Sequence, residues 1–172
     1  MITVTKARFG GNAGFSLTEL MIVVMVGVII TGYAVPAVDW AIDQQNLVLT
    51  GEAIANQLQY TRMRAVSGNE AFRLSFPSAN SYQIELENGT LYKGPFQFGY
   101  GVSLNTADAG DPISFPGDQV LFLPSGALPL TGLGSAGRVK LINQAGLRID
   151  IVVDSGGTIR KTPTYESATA PF

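Results

Sequence analysis

Gly14-Phe15-Ser16-Leu17-Thr18-Glu19-Leu20, running straight into Met21-Ile22-Val23-Val24-Met25-Val26, is the stretch around which the chain is organised. From Leu20 to Val38 nineteen residues carry no charge. As a helix rising about 1.5 Å per residue, that run is long enough to cross a hydrocarbon core of ~30 Å. Glu19 stands at its edge. A carboxylate taken unpaired into lipid costs several kcal/mol, so a neutralising partner is expected.

Upstream, residues 1–14 are polar and basic and end in Gly10-Gly11-Asn12-Ala13-Gly14. Lys6 and Arg8 have no acidic neighbour, which places this end on the cytoplasmic side and the rest of the chain across the membrane. Three readings account for residues 1–38. One is a secretory signal peptide cut after Val35-Pro36-Ala37, although its apolar stretch exceeds the usual ~7–15 residues. A plain single-pass anchor explains the length but not Glu19. In the third, the leader is clipped after Gly14 and the apolar helix stays. The new amine on Phe15 would then lie four residues from Glu19, and amine and carboxylate can neutralise each other.

The run Gly14-Phe15-Ser16-Leu17-Thr18-Glu19-Leu20-Met21-Ile22 closely resembles the signal of type IV pilins and type II secretion pseudopilins. The resemblance implies cleavage between Gly14 and Phe15 by a prepilin peptidase, which also N-methylates Phe15. It implies that Glu19 sets assembly register by pairing with the amine of a neighbouring subunit. Pro36 falls where such proteins carry a helix-breaking proline. Physically, a proline within a helix removes one hydrogen bond and crowds the preceding turn, so a kink is expected there. The alternative is that Pro36 marks the end of the membrane helix, with Asp39 and Asp43 close behind.

Downstream, Leu47, Ile54, Leu58 and Ala65 recur at helical spacing, with Gly51 and Thr61 in the same stripe. Ser67-Gly68-Asn69 supplies a stop. The period then changes from helix to strand. Phe72, Leu74 and Phe76 alternate with polar residues, as do Tyr82, Ile84 and Leu86, and Asn88-Gly89 predicts a type I′ hairpin. Residues 94–118 read as a long irregular connection containing a short strand at Val102-Ser103-Leu104. Further strands are expected at 120–123, 138–142, 147–153 and 158–160. The predicted class is α+β, a long N-terminal helix packed on an antiparallel β-sheet domain. Its divisions are a leader (1–14), a transmembrane and assembly helix (15–38), an amphipathic second half (39–68), a β-sheet domain (69–161) and a flexible tail (162–172).

Phe122-Leu123-Pro124-Ser125-Gly126, two β-runs and a closing glycine turn are similar to the soluble domain of the GspH/FimT group of minor pilins and pseudopilins. Arg62-Met63-Arg64-Ala65 resembles the arginine- and alanine-containing segment that those proteins carry near the helix end. The resemblance implies a minor pseudopilin at the tip of a type II secretion pseudopilus. The alternative is a FimT/FimU-like minor pilin of a type IV pilus with a part in DNA uptake. Implied partners are other pilins or pseudopilins, the prepilin peptidase/methyltransferase and the inner membrane, with the C-terminal domain in the periplasm or outside.

Composition narrows the chemistry. The 172 residues include no cysteine and no histidine, which excludes disulfides, thiolate zinc sites and the commonest general base. No catalytic constellation is expected, and no cofactor. Net charge is −2, which argues against nucleic acid as the main partner. Arg160 and Lys161 are the DNA-binding candidates, since Gly157-Thr158-Ile159-Arg160-Lys161 approaches the Gly-Arg-x-Arg motif of some FimT-type proteins without its first arginine. Alternating charge on a solvated strand is the plainer account. Gly132–Gly137 reads as a flexible loop rather than a dinucleotide site, and Asp108, Asp111 and Asp118 as turn chemistry rather than calcium ligands.

Overall fold

The computed structural model describes residues 15–106, 112–132 and 134–166, with the side chains of 33–37, 165 and 166 left aside. Backbone contacts divide the chain into two compact units, Met1–Asp39 and Trp40–Phe172. One helix, α1 (Leu17–Gly68), contributes to both.

In the first unit the described apolar side chains of α1, from Leu20 to Ile30, are exposed. The second unit is built on the expected stripe. Leu47, Ile54, Leu58, Thr61 and Ala65 are fully buried, and Thr50 and Gly51 are buried beside them. Burying each of the larger aliphatic side chains contributes roughly 1.5–3 kcal/mol. The helix closes in a Schellman arrangement: Asn69 N–H donates to Val66 O at 3.4 Å and Glu70 N–H to Ala65 O at 3.3 Å. Asn69, not Gly68, takes the left-handed conformation, with φ 48°.

Among the described residues nine strands form two antiparallel sheets: β1 (Phe72–Ser78), β2 (Ser81–Leu86), β3 (Leu91–Gln97), β4 (Val102–Leu104), β5 (Gln119–Phe122), β6 (Gly137–Asn143), β7 (Leu147–Val153), β8 (Ile159–Lys161) and β9 (Tyr165–Glu166). The first sheet has the order β3-β2-β1-β5 and the second β4-β6-β7-β8, with β9 also on β7. Alternation puts Phe72, Leu74, Ile84, Val120 and Phe122 of the first sheet, and Val139, Leu141, Ile149 and Ile151 of the second, in one core with the helix stripe.

Three expectations are corrected. The β2–β3 connection is not a type I′ turn, because only Gly89 has positive φ (87°) and Asn88 does not. It is a three-residue loop. Gly89 N–H donates to Leu86 O, and Leu86 N–H to Thr90 O, both at 2.9 Å. Asn88 Oδ1 accepts from Thr90 N–H, a local bond that fixes Asn88 outside the left-handed region. Within the tail expected to be flexible over 162–172, the described residues 162–166 are tied to the second sheet. Thr162 exchanges bonds with Asp150, and β9 pairs with the first half of β7. The loop expected to be flexible at 132–137 is held as well. Gly134 N–H donates to Pro116 O and Gly134 O accepts from Leu121 N–H, in a place where a side chain would strike Leu121.

Candidate functional site

Gly14 lies outside the described residues, so the expected cleavage point is seen only from its Phe15 side. Phe15 is exposed. Ser16 caps α1: its Oγ accepts from Glu19 N–H at 3.1 Å, and its carbonyl accepts from Leu20 N–H at 3.1 Å. Ser16-Leu17-Thr18-Glu19 therefore has capping-box spacing, and the helix dipole favours an acid in this first turn. The Ser-x-x-Glu pattern could have revealed that local role from sequence. Glu19 is exposed and, among the described residues, makes no ion pair. Its charge is available to a partner.

Pro36 lies within α1, but its side chain is outside the described set, and so is the kink expected there. Among the described residues no helix is long and apolar enough to cross a membrane. With residues 33–37 set aside, the described apolar stretch stops at Gly32.

Arg160 and Lys161 do not form one patch. They are consecutive on β8, so their side chains leave opposite faces of the sheet. Arg160 reaches Asp154 at 3.9 Å, whereas Lys161 Nζ donates to Glu52 Oε1 on α1 at 2.9 Å. Arg138 aligns with Arg160 through Val152 but faces Asp150 at 3.9 Å. Each cation is matched by a carboxylate, which removes the excess positive potential that a phosphate backbone requires. The calcium reading gains nothing either. Asp108 and Asp111 lie outside the described residues, and Asp118 is a turn residue with φ 53° whose N–H donates to Phe115 O at 3.0 Å.

The segments that carried the sequence resemblance do come together, through Arg62. Its Nε donates to Gly126 O at 2.9 Å and its Nη2 to Gly156 O at 3.5 Å. One guanidinium on α1 thus holds the turn after β5 and the turn between β7 and β8. A Cβ at Gly157 would collide with Gly126 O, so only glycine lets the two turns approach this closely. On the outer face of the first sheet, Glu85 is buried and accepts from Arg73 Nε, from Gln83 Nε2 and, at 2.9 Å, from Ser75 Oγ. Burial alone would raise its pKa. Hydrogen bonds from Gln83, Ser75 and Arg73, with the guanidinium charge, outweigh burial and hold the carboxyl below its ordinary value. In sequence Glu85 looks like an exposed polar position of an alternating strand.

The profile of a protein family described as type II transport protein GspH matches residues 50–157, from the middle of α1 to the last glycine turn. Among solved structures the chain is similar to the type IV minor pilin FimU of Pseudomonas aeruginosa PAO1. That likeness has a TM-score of 0.50 at 18% identity, over 70% of this chain and 90% of that one. The minor pseudopilin EpsH from the type 2 secretion system of Vibrio cholerae matches with a TM-score of 0.49 at 9% identity, over 68% and 96%. A search by sequence for characterised relatives returned no match. The profile spans more than half of the chain and takes in the helix stripe from Thr50 on, strands β1 to β7 and the turns joined by Arg62, so this protein belongs to the GspH family of pilin-like proteins.

Proposed function

We propose that this protein is a minor pseudopilin of a type II secretion pseudopilus, acting by assembly rather than catalysis. The observation that carries the reading is the match of residues 50–157 to type II transport protein GspH. The N-terminal segment agrees with it. In this reading the leader is removed between Gly14 and Phe15, Phe15 is N-methylated, and residues 15–38 hold the protein in the inner membrane with its sheets in the periplasm. Glu19, exposed and without an ion pair among the described residues, then meets the amine of a neighbouring subunit as the helix leaves lipid for the filament. Pro36 would let the helix bend on that passage.

Deleting the gene from its host, and measuring exoprotein release beside twitching motility and DNA uptake, tests the assignment. Lost secretion with intact motility is the expected result. Intact secretion with lost motility would move the protein to a type IV pilus. Restoring the strain with Glu19→Ala is expected to leave secretion abolished while the protein remains in the membrane fraction. N-terminal sequencing of membrane-extracted protein should give a methylated Phe15, and any other start overturns the leader assignment. DNA uptake draws no support from Arg160 and Lys161, each of which is already matched by a carboxylate.

A further inference from the structure

The cations that the sequence put forward are paired, and two that it did not put forward are not. Arg64 on α1 and Lys93 on β3 make no ion pair among the described residues. Both lie against aromatic rings. The Arg64 guanidinium sits 5.5 Å from the centre of the Tyr92 ring, and Lys93 Nζ sits 5.0 Å from Tyr60 and 5.8 Å from Phe96. Tyr60 and Arg64 are one helical turn apart and share a face of α1.

Tyr92 and Lys93 are consecutive in a strand and should point to opposite sides, yet both face the helix. The register explains this. Ile84 pairs with Lys93 and Glu85 with Leu91, so one step on β2 spans two on β3, and the extra residue is Tyr92. A bulge of this kind re-aims a side chain that regular pleating would turn away. The Tyr92 ring then meets Phe72 edge-on at 5.1 Å. β3 is also the open edge of its sheet, with Leu91, Tyr92 and Lys93 exposed.

We infer that Tyr60, Arg64, Tyr92 and Lys93 form a docking surface for an extended, acidic polypeptide segment of a partner protein. A guanidinium and an ammonium supply the charge, the phenol hydroxyls supply donors for a carboxylate, and the open strand edge suits an extended chain. A net charge of −2 on the whole protein disfavours nucleic acid, whose capture needs a broad positive field. The surface uses neither Glu19 nor Arg62, so it stands whichever filament the protein joins.

The test is fluorescence anisotropy of a labelled oligoglutamate peptide titrated with the full-length protein in detergent. Binding that weakens with salt is expected. It should fall roughly tenfold in the Arg64→Gln/Lys93→Gln double variant and stay unchanged in Arg160→Gln. Both substituted side chains are exposed, and matching thermal melts would show that the variants fold. Lys93→Gln alone, at an exposed side chain, gives an intermediate loss. Absence of binding, or equal losses from Arg64/Lys93 and Arg160, overturns the site. Duplex DNA competing at equal affinity, with the same dependence on Arg64 and Lys93, overturns the choice of a polypeptide partner.

Discussion

The two parts of α1 differ in how their apolar side chains are arranged and in what covers them. From Trp40 onward the helix has an inward stripe, and Leu47, Ile54 and Leu58 have no exposed surface. In the first unit the described side chains of α1 have no inward side: Ile29 is 55% and Ile30 62% exposed. The sequence marks the same contrast. Residues 20–32 hold apolar side chains all round, whereas 47–65 hold them at helical spacing. A helix that is apolar all round needs a surrounding that its own chain does not supply. The second half derives its stability from intramolecular packing, and the described side chains of the first half have no such cover.

Substitution on the two sides separates these roles. Leu58→Ala removes a fully buried helix side chain from the core and should destabilise the second unit by about 3 kcal/mol in denaturant unfolding. Ile29→Ala, in full-length protein in detergent, should leave that transition within about 0.5 kcal/mol of wild type. Equal losses would mean that the first half also takes part in the fold of the domain.

Arg62→Ala comes next. The Gly126 carbonyl loses its side-chain donor, and two turns that approach within one guanidinium's reach lose their common tie. A loss of roughly 1–2 kcal/mol is expected, with faster amide exchange at Gly126 and Gly157. Lys at this position should not restore it, because an ammonium lacks the fork that spans two carbonyls.

How much of this was legible in the sequence follows from the range of each interaction. The helix stripe, its stop and the alternating strands were readable because local periodicity fixes them, and Leu47, Ile54, Leu58 and Ala65, which the spacing marked, are buried, whereas Phe98, Ile113, Phe115 and Leu128 are buried from irregular segments without such a pattern. The β2–β3 turn was misjudged because Asn88 bonds to Thr90 instead of taking positive φ. The tail was misjudged because its order depends on Asp150 and on the free edge of β7, which only the folded topology brings near. At the candidate sites, Arg160 and Lys161 were adjacent in the chain but on opposite faces, and their carboxylates come from Asp154 and from Glu52 on α1. The bulge at Tyr92 carries no local signature, and the segment Arg62-Met63-Arg64-Ala65, though it resembles the family's, gives no local sign of the two turns that Arg62 joins.

The acid network on the first sheet gives a smaller effect, with a sign fixed by the direction of its shift. Folding depresses the Glu85 pKa, so the network's stabilisation is complete above the ordinary glutamate value and is lost as pH falls through the lower, folded value. Unfolding midpoints measured from neutral pH downward should therefore drop in the acid range below the ordinary value. Glu85→Gln should be less stable at neutral pH by about 1–2 kcal/mol and show a flatter acid limb. An unchanged acid limb would show that other carboxylates carry the effect.

The smallest effect belongs to the pairs that looked functional in the sequence. Lys161 and Glu52 join β8 to α1, but Glu52 is more than half exposed, and the Arg160–Asp154 pair is more exposed still. Solvent screens such pairs, and holding two long side chains in one geometry offsets much of the attraction. Lys161→Gln and Arg160→Gln should each change the unfolding free energy by less than about 0.5 kcal/mol, and raising the salt should shrink even that difference. A larger, salt-resistant loss in Lys161→Gln would mean that the Glu52 tie sets the seating of β8 on the helix, as Arg62 does for the two turns. The sharp distinction would then lie within the second unit rather than between the two parts of α1.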